Sequence, residues 1–225
     1  MRMKLALCAA MLLIGGPLMA AAQTGTGYDL DQLPALQGTV RQYSLTPRGD
    51  VDGLILSDGT EIHVPPHLGT QLVYAVKPGD TVTVHGLRAR AVPMVEALSV
   101  RNDATGATVE GGGPGGPRGP RSPGEALTDN GRIQSQLHGP QGDLNGVLMQ
   151  DGTIVRLPPP EAQRLAADLA PGKPLYVQGD GYAGPLGRVI AANALGPDAN
   201  QLVQVEAGPP GPPPLGGPFG SRPPR

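Results

Sequence analysis

Residues 38–86 read GTVRQYSLTPRGDVDGLILSDGTEIHVPPHLGTQLVYAVKPGDTVTVHG, and residues 131–179 read GRIQSQLHGPQGDLNGVLMQDGTIVRLPPPEAQRLAADLAPGKPLYVQG. Laid over each other at a spacing of 93, they agree at 15 of 49 positions without a gap. Most identities are punctuation. Gly49-Asp50 meets Gly142-Asp143, Gly53 meets Gly146, and Asp58-Gly59-Thr60 meets Asp151-Gly152-Thr153. Pro65-Pro66 and Pro78-Gly79 recur as Pro158-Pro159 and Pro171-Gly172. After a one-residue slip, Val95 and Ala97 fall on Val189 and Ala191. Chance does not repeat such spacing; the chain is a duplication. A period near 93 is too long for a solenoid unit and suits a whole small domain, so two domains are expected, at residues 36–102 and 130–206.

Reading both copies together defines each element. A first strand is expected over residues 38–45 and a second over 53–57, closed by Asp58-Gly59, whose glycine suits a tight hairpin. In the third strand Ile62 and Val64 alternate inward, as do Val155 and Leu157. After the paired prolines, Leu68, Leu72 and Val76 recur at helical spacing, as do Ala162, Leu165 and Leu169. Strands at residues 81–87 and 95–101 complete the copy, with Val82 and Val84 inward. Three strands, a helix and two strands is the order of the OB-fold, a five-stranded Greek-key barrel. The expected fold class is therefore mainly β, two tandem OB-fold-like barrels. A small SH3-like barrel usually lacks the helix.

In these motifs the chain resembles the small OB-fold domains of unknown function in bacterial secreted proteins. The resemblance is carried by Gly38, Asp58-Gly59-Thr60, Pro78-Gly79-Asp80 and Gly86, and copy two departs from it at Lys173. It covers both repeats but neither the linker nor the tail. It implies a periplasmic accessory or binding module with no assigned reaction.

The ends bear on location. Arg2 and Lys4 precede an apolar run over residues 5–19, and Ala20-Ala21-Ala22 follow. That is the order of a secretory signal peptide, expected at residues 1–22, and the protein is expected to be periplasmic or secreted. The run is too short and interrupted to span a bilayer, so no transmembrane segment is expected after cleavage. Cys8, the single cysteine, leaves with it, so the mature chain has no disulfide and no thiolate. Residues 5–7 are not the small-residue approach that lipid attachment at Cys8 wants. Loss of Arg2 and Lys4 reduces 17 basic residues to 15, against 19 acids, a net charge of −4. Such a balance gives no electrostatic pull toward phosphate backbones. Residues 103–129 and 207–225 are rich in Gly and Pro, which reads as a linker and a disordered tail. The Gly-X-Y period of collagen fails within a few triplets.

Candidate chemistry is sparse. His63 and His85 alternate with inward residues, and His67 lies four after His63; converging, the three would make a zinc or copper site in copy one only. Asp50-Val51-Asp52-Gly53 has the beginning of a calcium loop but runs at once into a strand, so turn chemistry is the better account. Nucleophile, metalloprotease and phosphate-loop motifs are absent, which argues against an enzyme, and no cofactor is expected. Oligonucleotide binding by OB-folds uses strands two and three, a basic groove and exposed rings. Here the candidates are Arg41, Tyr43, Arg88 and Arg90 in copy one and Arg156, Tyr176 and Tyr182 in copy two. With aromatics at 3% and no Trp, nucleic acid is disfavoured. The outward residues, Arg41, Tyr43, His63, His85, Arg88, Arg156 and Tyr176, are expected instead to meet an envelope protein, a peptide or a glycan. The Pro-rich tail is itself a possible ligand, since polyproline II segments lose little entropy on docking.

Overall fold

A computed structural model describes residues 30–111 and 124–206. The expected signal peptide, the centre of the linker and residues 207–225 lie outside the described residues. Among the described residues no helix is long and apolar enough to cross a membrane. The first repeat runs β1 (Ala35–Leu45), β2 (Val51–Leu56), β3 (Glu61–His63), α1 (Gly69–Ala75), β4 (Thr81–Arg88) and β5 (Met94–Asn102), then a short β6 (Thr108–Glu110). The second runs β7 (Glu125–His138), β8 (Leu144–Met149), β9 (Ile154–Arg156), α2 (Pro159–Arg164), β10 (Pro174–Gly184) and β11 (Gly187–Gly196), then β12 (Val203–Gln204). In each, the neighbours are antiparallel except one parallel pair, β3 with β5 and β9 with β11, which closes a five-stranded barrel. The chain is thus two OB-like barrels in tandem. β6 and the start of β7 fall within residues 103–129, the stretch read as linker.

The punctuation residues do what their chemistry dictates. Gly59 and Gly152 take φ of +89° and +94°, where a side chain would be strained. Beside each, an aspartate accepts two bonds from the same threonine, Asp58 from the Thr60 amide and hydroxyl at 2.9 and 3.0 Å, Asp151 from Thr153 at 2.9 Å twice. Gly53 has a different reason: a Cβ there would sit 2.0 Å from the Ile62 carbonyl oxygen, and at Gly146 2.2 Å from that of Val155. Two strands approach too closely for any other residue. The inward residues Ile62, Val64, Val82, Val84, Val155 and Leu157 are all buried, with Leu72 and Leu165 from the helices.

Two expectations change. The last strands align two residues out of step with the 93-residue spacing rather than one. Ile62 pairs with Val95 and Val155 with Ile190, so Val95 matches Ile190, and Ala97 matches Ala192. Tyr43 is not an outward ring. A β-bulge between Val40 and Gln42 resets the alternation of β1, which turns Tyr43 into the core, where its hydroxyl donates to the Val76 carbonyl at 2.7 Å.

Candidate functional site

Along β8, Val147 and Met149 belong to the core of the second barrel, whereas Leu148 between them belongs to the apolar cluster of the first. Leu137, Ile154 and Val189 cross over in the same way. The two barrels therefore pack on each other; the second contributes the outer face of its first three strands and of β11, which carries Val189. β3 and β9 are buried along their whole length, and in β2 and β8 only Asp52 and Asn145 keep partial exposure. One side of each strand lines its own barrel and the other side meets the opposite barrel.

Two polar locks sit in this interface. Arg156, 6% exposed, points away from its own barrel. Its Nε donates to the Leu45 carbonyl at 3.1 Å and Nη2 to the Ser44 hydroxyl at 2.8 Å, both on the first barrel. Nη1 donates to Asn145 Oδ1 at 2.9 Å, and Nη2 reaches Asp52 at 3.5 Å. A rigid five-donor fork suits this division among separate acceptors. In the other lock, buried Glu61 of β3 accepts from the His138 backbone N–H at 2.9 Å and from its Nδ1 at 2.7 Å. A carboxylate only accepts, so Nδ1 carries the proton. Burial pushes the Glu61 carboxyl up, but the His138 ring, His63 at 3.8 Å and the His138 amide together hold it below the ordinary 4.5.

The arrangement has an approximate two-fold relation. At the 93-residue spacing Glu61 corresponds to Ile154, His138 to Leu45, and Arg156 to His63. One lock thus holds a carboxylate where its mirror positions, Leu45 and Ile154, are apolar and fully buried. At the position equivalent to Arg156, His63 lies instead 3.8 Å from Glu61.

The sequence-predicted residues scatter. His63 and Arg156 do point outward from their barrels, but into the interface and not to solvent. Arg41, His67 and His85 are half-buried, Arg88 is exposed, and half-buried Tyr176 accepts from Gln178 at 3.3 Å on the second barrel. Among the described residues no three His, Cys, Asp or Glu side chains gather as a metal ion requires, so His63, His67 and His85 do not converge. The Asp52 carboxyl of Asp50-Val51-Asp52-Gly53 and the Asn145 amide at the equivalent position of the second repeat are turned to Arg156.

What the packing leaves open is a seam. On one side a groove of about 220 Å³ runs between α1 and the β10–β11 hairpin, lined by Asp50, Val51, Thr70, Val73, Tyr74 and Leu186. Tyr74 is 85% exposed at its rim. Gly49 in its wall packs against the Tyr182 ring of the second barrel, so closely that a Cβ there would meet the ring at 2.5 Å. Sequence reasoning missed Tyr74 and Leu186; an aromatic beside two apolar positions of a short helix, Leu72 and Val73, was the available signal.

No known family profile matches the chain, and no curated protein matches it in sequence. Among solved structures, a deletion mutant of the single-stranded DNA binding protein from Thermus aquaticus is similar at 14% identity, over 79% of this chain and 96% of that one, with a TM-score of 0.21. The wild-type form of that protein gives 14%, 78%, 93% and 0.21. A likeness at that score says nothing of a ligand.

Proposed function

We propose that this is an exported, non-catalytic binding or scaffolding module of the bacterial envelope, in which two OB-like barrels form one body and present a seam groove to a protein or peptide. One observation carries the reading: the strand-two and strand-three faces of both barrels are spent on each other. In OB-folds that face takes oligonucleotides, so a strand of nucleic acid would have to separate the barrels to reach it. The negative charge expected of the mature chain and the scarcity of exposed rings weigh the same way. The seam supplies what a peptide anchor wants, an exposed tyrosine beside apolar Val73 and Leu186 with the Asp50 carboxylate nearby.

Native mass spectrometry of the mature protein recovered from the envelope fraction of its host tests this. A co-purifying protein or peptide is expected, and Tyr74→Ala should release it while changing stability by less than about 0.5 kcal/mol, as exposed positions do. Co-purifying oligonucleotide, with affinity that falls steeply as salt rises, would instead establish the nucleic-acid reading.

A further inference from the structure

The same end of the two barrels is finished differently. In the first, the Asn102 amide, 1% exposed, donates to the Ala75 carbonyl at 3.0 Å and to Asp80 at 2.8 Å. Val109 of β6, 3% exposed, pairs with Val100 and closes the apolar gap beside it. The second barrel lacks the first device and keeps the second only in a more exposed form. Pro197 stands at the place of Asn102, Lys173 at that of Asp80 and Asp168 at that of Ala75. Val203 stands where Val109 does, paired with Leu195, but is 43% exposed. The result is a cleft of about 270 Å³ with a floor of Leu165, Leu175 and Leu195 and Val203 at its edge. That is below the usual size of a small-molecule site, about 300–1,000 Å³, and suits one or two apolar side chains.

We propose that this cleft is the docking site of the chain's own Pro-rich segment, residues 209–219, with Leu215 and Phe219 as its apolar anchors. The chain leaves the described fold beside it. Val203 lines the cleft, the Val205 amide is bound to the Asn193 carbonyl at 2.9 Å, and the Glu206 amide lies 3.4 Å from Glu161 of α2. From Glu206 to Leu215 a polyproline II path covers about 3.1 Å per residue, roughly 28 Å, whereas Val203 is three residues back. Length is therefore ample for a return. A proline-rich segment enters such a cleft at low entropic cost, and this one brings the only phenylalanine of the chain. The inference is independent of the seam groove.

That single phenylalanine makes the test simple. In the full mature chain carrying 4-fluorophenylalanine, the one fluorine resonance is expected to be displaced from its position in a free peptide of residues 207–225. Val203→Asp, at an exposed edge position, should return it to the peptide value. In parallel, the double variant Leu215→Ser with Phe219→Ser should shift the backbone amides of Lys173, Leu195 and Val203 and leave the first barrel unchanged. A fluorine resonance already at the free-peptide position, together with unmoved amides, overturns the proposal. So does a displacement that vanishes on dilution, which would assign the cleft to a second copy of the chain.

Discussion

Replacing Arg156 with alanine is expected to destabilise the protein by about 3 kcal/mol, read as a lowered midpoint in urea unfolding. Removing one member of a buried ion pair costs about 3–5 kcal/mol because the other charge is left without a partner. The low end applies because the Asp52 side chain keeps 22% exposure and recovers some hydration. The loss is more than electrostatic: the Ser44 hydroxyl and the Leu45 carbonyl, both on the other barrel, lose their donor. Arg156→Met preserves volume and tests the polar part alone. Adding Asp52→Asn to Arg156→Met should recover part of the loss, since the remaining charge is then gone. A change within 0.5 kcal/mol for Arg156→Ala would mean that the guanidinium does not hold the barrels together.

The second large effect is at Glu61. Glu61→Gln removes the charge from two hydrogen bonds, each worth about 1.5–3 kcal/mol when charge-assisted, and a loss of about 2 kcal/mol is expected at neutral pH. The pH dependence follows from the direction of its shift. In the unfolded chain this carboxyl takes up a proton near 4.5, whereas in the folded chain it stays ionised to lower pH. The unfolded state therefore binds more protons in that window, and stability falls as pH falls. The contribution is complete above about 4.5 and disappears as pH drops through the lower folded value. Urea unfolding from pH 6 to 3 should show the gap between the native chain and Glu61→Gln narrowing below 4.5. A gap of constant size across that range would show that the Glu61 carboxylate does not stabilise the fold through this contact.

The fold was legible because its determinants are local and doubled. Asp58-Gly59-Thr60 dictates a hairpin whatever surrounds it, and the second copy confirms the reading at Asp151-Gly152-Thr153. Alternation placed Ile62, Val64, Val82 and Val84 inside correctly. It failed at Tyr43, because a bulge inserts one residue and reverses the faces beyond it. It also identified His63 and Arg156 as outward without revealing what covers them, for period two distinguishes faces and not environments. The missing information was nonetheless written in β2 and β8. Leu54-Ile55-Leu56 and Val147-Leu148-Met149 do not alternate at all, and an unbroken apolar run is the mark of a strand covered on both sides. The short β6 and β12 left no such trace. Their three and two residues are too few for a pattern, and Val109 and Val203 differ only in what the rest of the chain places over them.

Burial of the strand-two and strand-three faces of the barrels against each other is measured directly by thiol accessibility. The expected mature chain has no cysteine, so His63→Cys and Tyr74→Cys each report one position. At the interface the introduced thiol should react with a maleimide only as fast as the protein opens, while at exposed position 74 labelling should be immediate. Equal rates at the two positions in a folded protein would show that the barrels stand apart and that these faces are free to bind a ligand.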